Sequence, residues 1–301
     1  LQIENLYRGK TGFDYRTNIE YTVAADGSIL VNSTIIPSTK GVIIPRIGYR
    51  MELPEGFERM RWYGRGPLEN YVDRKDATYV GVYDELVSDQ WVNYVRAQEM
   101  GNREDLRWIS ITNPDGIGFV FIAGDKMSAS ALHATAQDMV DPANHRRLLH
   151  KYEVPMRKET VLCLDANQRP LGNASCGPGP MQKYELRSQP TVFSFIILPL
   201  ERSYSTEELI KKARVQMPVC MPVLIERDNN GYLNLKTNTP GATVHYSLNG
   251  GEEKIYTEPF EFISGGHVEA YAVSEQLGKS ARTSAEFPIY VDRSLWKNCI
   301  S

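Results

Sequence analysis

Along most of the chain apolar and polar residues alternate with a period of two, the spacing of a half-buried β-strand. The stretch NIEYTVAADGSILVNSTII, 18–36, alternates on both sides of Ala25-Asp26-Gly27 and predicts a hairpin closed by a tight turn. RWISITNPDGIGFVFIAG, 107–124, predicts two strands around Asn113-Pro114-Asp115-Gly116. VFSFIILPL, 192–200, is apolar almost throughout and bounded by prolines, as expected of an inner strand. Helical periodicity is weak except at SYSTEELIKKARV, 203–215, where Ser205 or Thr206 can cap a short helix and Glu208 stands where a capping box needs it. Short strands at regular spacing without βαβ alternation predict an all-β chain, folded as a large antiparallel sandwich.

The capped helix runs into VQMPVCMPVLIE, where Pro218 and Pro222 stiffen an extended connector. Beyond it the strands shorten, and the Pro240-Gly241 and Asn249-Gly250-Gly251 turns suit a small immunoglobulin-like sandwich. At 301 residues the chain has room for two domains. The expected organisation is a large sandwich over 1–202, a helix and linker over 203–218, a small module over 219–291 and a tail over 292–301. No sequence repeat relates the two β parts.

Charge narrows the partners. Lys and Arg number 34 against 37 Asp and Glu, a formal charge of −3 without a block of one sign, so nucleic acid and anionic membranes are poor partners and a neutral one is expected. No apolar run approaches the roughly 20 residues of a membrane-spanning helix. The sequence opens at Leu1 with neither an initiator Met nor a signal peptide, which is expected of a processed chain or a piece of a longer one. Its compartment stays open, with a periplasmic or extracellular setting favoured over a cytoplasmic one. Cys163, Cys176, Cys220 and Cys299 are too sparse for a disulfide framework and wrongly spaced for structural zinc, so free thiols are expected.

RWYGRGPLENYVDRKDATYVGVY, 61–83, joins aromatics and glycines to a dense set of charges. Glu69 and Asp73 could form a catalytic carboxylate pair. The favoured reading is a scaffold in which they pair with Arg61, Arg65 or Arg74 along a tight backbone path set by Gly64, Gly66 and Pro67. In GNREDLRW, 101–108, Asn102, Arg103, Glu104 and Asp105 could line a sugar site or tie a turn to a strand, and tying is favoured. His145 and His150 stand five apart, a poor spacing for a shared metal. No GxSxG elbow, GxGxxG loop or Walker pattern occurs in a suitable context. LGNASCGPGPMQKY, 171–184, is a Gly- and Pro-rich loop on a rigid sandwich, a usual place for binding groups.

Four blocks then fall in one order: RIGYRMELPEGFERMRWYGRGPLENYVDRKDA, QEMGNREDLRWISIT, RRLLH and LDANQRPLGNASCGPGP. Together they resemble, over roughly residues 2–200, the small-chain domain, a C-terminal supersandwich of galactose mutarotase-like fold, of family-two β-galactosidases of the bacterial long-chain type. The second part resembles the small C-terminal module of chitobiases and other hexosaminidases through NTPGATVHYSLNGG and YTEPF. That module is a common accessory and does not imply a hexosaminidase.

The first resemblance implies a parent enzyme that removes terminal non-reducing β-D-galactose from β-galactosides. Both catalytic glutamates of that family lie on an upstream TIM barrel, and this chain has neither the length nor the alternation for one. No catalytic residue, cofactor or metal is therefore expected here, the magnesium and sodium of the family being bound outside this region. The implied partners are the upstream barrel and sandwich domains and a β-galactoside or glycan, with no nucleic acid and no membrane span; homo-oligomers are allowed. The 171–184 loop would close over the substrate, so Asn173, Ser175 and Cys176 are the expected substrate-binding residues. Cys176 is a departure, because some members carry there a Trp on which a sugar can stack, and a thiol is far smaller. The mutarotase-like fold further admits His133 or His150 as a vestigial sugar ligand. The alternative is a pair of carbohydrate-binding modules that dock a glycan.

Overall fold

A computed structural model describes residues 1–172, 179–213, 220–237, 239–275, 277–280 and 282–291. As expected, the chain is all-β, with antiparallel sheets in sandwich-like arrangement. Ten strands make the large sheet: β1 (Gln2–Tyr7), β2 (Tyr15–Val23), β3 (Ile29–Pro37), β4 (Arg46–Leu53), β5 (Arg59–Gly66), β6 (Tyr79–Leu86), β7 (Arg103–Thr112), β8 (Ile117–Leu132), β9 (Thr160–Gln168) and β10 (Thr191–Glu201). Their order is β1-β2-β3-β10-β8-β7-β5-β6, and β9, which also pairs β4, branches from β8.

The branch arises because β8 is 16 residues long and serves two neighbours in turn. Its first half pairs β10, with Ile122 opposite Ile196, while its second half pairs β9, with Ser130 opposite Cys163. The exposed Asp125 and Lys126 sit between the halves, and the β7–β8 register slips twice between Arg103 and Trp108. A bent strand thus carries one sheet into a second layer.

Both predicted hairpins form. Thr22 pairs Leu30 across the 24–28 turn, and Thr112 pairs Gly118 across the second. The run at 192–200 becomes the central β10, and the structure explains why it scarcely alternates. One face of the central strands packs Val31, Trp62, Ile109, Phe121 and Phe195 into the main core. The other face buries Trp108, Val120, Ile196 and Leu198 beneath a short helix, α1 (Thr206–Ala213), through Leu209. At that helix Ser205 Oγ accepts the Glu208 N–H at 3.2 Å, and Glu208 accepts the Ser205 N–H at 2.7 Å, the reciprocal cap expected from the sequence.

From residue 220 onward the described residues surround a separate core of Val223, Ile225, Leu233, Val268, Ala270 and Phe287. A sheet of β11 (Leu224–Arg227), β12 (Tyr232–Lys236) and β15 (Phe260–Glu261) supplies one side. The other comes from β13 (Thr243–Leu248), β14 (Lys254–Ile255), β16 (Gly266–Ser274), β17 (Gly278–Lys279) and β18 (Thr283–Phe287).

Candidate functional site

The charged stretch at 61–83 is the β5–β6 pair with an excursion, 67–78, at its tip. Gly66 lies so close to Tyr83 and Trp62 that a Cβ would meet their rings at 2.8–3.0 Å, which is why glycine stands there. Hydrogen bonds from its own chain hold the excursion, although the buried Tyr71 hydroxyl and Asp73 Oδ1 find no partner among the described residues. Glu69 Oε2 accepts the Gly101 N–H at 2.8 Å, and Oε1 accepts from the Tyr94 hydroxyl and from Arg74 at 3.2 Å. Arg65 donates to the carbonyls of Lys75 and Thr78 and pairs with Asp105, which also takes Lys75 Nζ at 3.3 Å. Burial opposes the charge on Asp105, yet Arg65 and Lys75 outweigh it and hold the carboxyl below its usual range. Asn70 and Asn102 exchange backbone and side-chain bonds, and Asn102 Nδ2 also donates to Glu104 at 2.9 Å. Arg103 donates to Gln90 at 2.6 Å while its guanidinium lies 5.0 Å above the Trp62 ring. The scaffold reading therefore holds for Glu69, and GNREDLRW ties a turn to a strand.

Asp73 corrects one expectation. Among the described residues it pairs with no arginine; its Oδ2 instead accepts the Gly172 N–H at 3.2 Å, across 99 positions of sequence. The candidate arginines are engaged elsewhere, Arg65 with Asp105, Arg74 with Glu69 and Arg61 with the Tyr204 carbonyl. Gly172 opens the Gly- and Pro-rich loop, and the two ends of that loop touch. A Cβ on Gly172, whose φ is +58°, would come within 2.6 Å of Pro180 N. Arg169 fastens the same neck by a bidentate pair with Glu185, both bonds 2.8 Å. The predicted substrate-binding residues Asn173, Ser175 and Cys176 lie outside the described residues. Sequence reasoning had no signal for the clamp, since its halves come from distant segments.

Beside the neck opens a cavity of about 620 Å³. Lys75, Glu104 and Asp105 form one wall, Lys126 and Ser128 of β8 with Asn167 and Gln168 of β9 another, and Tyr184, Arg187 and Gln189 close it. Burial raises the Glu104 carboxyl above its usual range despite the Asn102 hydrogen bond. The histidines stand elsewhere. His133 has both ring nitrogens engaged, with Glu58 at 2.7 Å and the Glu159 carbonyl at 3.0 Å. His150 bonds the Val95 carbonyl through Nδ1 and stacks on Tyr152. Neither lines the cavity.

An antiparallel sheet of ten strands that braces one loop neck with the partly exposed Arg169–Glu185 pair is the frame of the candidate site. The chain belongs to the beta-galactosidase small chain family, whose model matches residues 3–197. It is 31% identical over 154 residues to a β-galactosidase of Priestia megaterium, a stretch covering 51% of this chain and 14% of that protein. To β-galactosidase BgaC of Bifidobacterium adolescentis it is 31% identical over 191 residues, 61% of this chain and 18% of that one. A Kluyveromyces lactis β-galactosidase is 31% identical over 151 residues, covering 50% and 14%. The chain thus spans less than a fifth of the length of these curated relatives.

Proposed function

We propose that this chain is the C-terminal part of a β-galactosidase that hydrolyses terminal non-reducing β-D-galactose residues, contributing an active-site loop and a domain interface without the catalytic glutamates. The family match over residues 3–197 carries the reading. The clamped neck at Asp73, Arg169, Gly172 and Glu185 supports it, because a loop that must border a sugar needs a fixed base. Glu69 and Asp73 are both committed to holding backbone, so they do not form an acid–nucleophile pair. The 301-residue chain should accordingly show no turnover of an aryl β-galactoside above a buffer blank. Turnover that disappears in Glu69→Gln would overturn the assignment.

In the complete enzyme Cys176 and its neighbours Asn173 and Ser175 would border the galactose pocket, with an upstream barrel opposite. Cys176→Trp would then narrow the pocket and add stacking worth about 0.5–1.5 kcal/mol. The expected result is a KM for short galactosides lowered by about two- to tenfold with kcat unchanged. Identical steady-state constants for short and extended substrates would remove Cys176 from the site.

The separate core that begins at residue 220 supports an immunoglobulin-like accessory module over 219–291, joined through the helix and linker of 203–218. Limited proteolysis should cut between about 201 and 222 and leave a large and a small β fragment. Cuts confined to 60–190 would place the boundary elsewhere.

A further inference from the structure

Residues 38–45, which connect β3 to β4, hold both ends of the Gly- and Pro-rich loop. On the outgoing side the Pro45 carbonyl accepts the Arg169 N–H at 2.8 Å. On the returning side the connection forms a short ladder with 186–188. The Gly41 N–H donates to the Ser188 carbonyl at 2.8 Å, the Ser188 N–H to the Val42 carbonyl at 2.7 Å, and the Ile44 N–H to the Leu186 carbonyl at 3.1 Å. The Ser188 hydroxyl adds a bond to the Thr39 carbonyl at 2.7 Å, and Arg187 donates to the Gly41 carbonyl at 2.9 Å. Glu185, the residue before that ladder, is the one that pairs with Arg169. The connection is therefore a third fastening of the neck, beside the Asp73 and Glu185 contacts.

It is a fastening with little of its own to hold it. Residues 38–43 are all exposed, and a segment with few buried apolar contacts opens at low cost. A contact from outside then weighs heavily on its opening, and the unit that begins at residue 220 supplies one. Lys40 Nζ lies 5.3 Å from the centre of the Phe287 ring. Phe287 is buried in the core of that unit, edge-on to Phe262 at 6.1 Å, so the cation rests on a ring fixed by close packing. Although Lys40 is an exposed residue, burial at its ammonium pushes it below the usual lysine range. The Glu226 carboxylate opposes that fall, and Arg227, 5.2 Å over the same ring, adds to it. A second contact lies at Met221, which lines a cleft of about 210 Å³ together with Val192 and Phe193 of β10. Two separate points of contact resist a rotation that one would allow.

We propose that the C-terminal unit braces the neck of the loop, bearing through Lys40 on the segment that ties both loop ends to the large sheet. Lys40 is thus a positioning residue, far in sequence from the loop it steadies. The proposal concerns the neck alone and does not rest on the galactosidase reading, which the aryl-galactoside assay tests separately.

Amide hydrogen exchange of the 301-residue chain, read by NMR at Arg169, Gly172 and Ser188, tests it, because each of these N–H groups is bonded across the neck or its fastening. Lys40→Met should speed exchange at all three by about two- to fivefold, the factor an exposed cation–π contact is worth, at an unchanged melting temperature. Lys40→Arg keeps a cation over the ring and should keep the original rates. Lys10→Met, at another exposed lysine of the large sheet, should change none of them. Phe287→Leu removes the ring from the other side and should speed the same three amides, with no further gain when combined with Lys40→Met. If Phe287→Leu fails to fold, the Lys40 variants decide alone. Unchanged exchange at Gly172 in Lys40→Met overturns the proposal, even where Ser188 speeds up, since Lys40 would then steady only its own turn. Equal acceleration by Lys10→Met, or full additivity of Lys40→Met with Phe287→Leu, overturns it as well.

Discussion

Replacing Trp62 by alanine is expected to destabilise the chain by about 3–5 kcal/mol, the range for truncating a large buried aromatic. The indole is fully buried in the main core with Met60, Leu106 and Phe121. It stacks on Tyr83 at 5.2 Å and carries the Arg103 guanidinium at 5.0 Å, and its Nε1 donates to the Arg65 carbonyl at 3.0 Å. Truncation removes all three contacts and leaves a void beneath a cation that is itself buried, so relaxation can recover little. Denaturant unfolding at constant m-value measures the loss. Trp62→Phe should restore part of the packing while still lacking the indole donor. Tyr79→Ala, at a side chain 77% exposed, should stay within about 0.5 kcal/mol. A loss below about 1 kcal/mol for Trp62→Ala would mean that the conspicuous RWYGRG stretch does not hold the core.

That stretch also shows where reading a sequence stops. Hairpins, inner strand and capped helix were legible because each depends on side-chain spacing within a few residues: the period of two at 18–36, and the Ser205 to Glu208 interval. The fold class followed from the same local signals. The branching of the sheet did not, since β4 pairs β9 with Arg50 opposite Cys163, and no local period records a partner so far away. The candidate site divides in the same way. Glu69 was legible as scaffold, but Asp73 was assigned an arginine by proximity in sequence, whereas its partner is a backbone N–H of the loop. Asp165, within CLDANQ, reads as an ordinary strand residue. It is nearly fully buried, and burial pushes its carboxyl up to about 7 although Arg46 stands 2.8 Å away and pulls the other way. The cavity beside the neck was invisible for a further reason: its walls come from segments around residues 75, 104, 126, 167 and 187, which only the folded chain brings together.

Gly172→Ala is expected to have the largest effect on the loop itself. A residue other than glycine at φ +58° costs about 1–2 kcal/mol before any contact is made. Here the added Cβ would also stand 2.6 Å from Pro180 N and 2.9 Å from Gly179 C. Those are backbone atoms, so no rotamer change relieves the clash and the two strands of the neck must part. Parting them lengthens the 3.2 Å bond from the Gly172 N–H to Asp73 and pulls against the Arg169–Glu185 pair. In the complete enzyme the expected outcome is a KM for short galactosides raised about tenfold, with the global melting temperature lowered only slightly because the main core is untouched. Asp73→Ala removes the acceptor from the other side and should raise KM in the same direction. Since both changes open one neck, their effects on KM should fall well short of additive when combined. Full additivity in that double-mutant cycle would mean that Asp73 and Gly172 act independently, and the loop would then owe its position to contacts outside this chain.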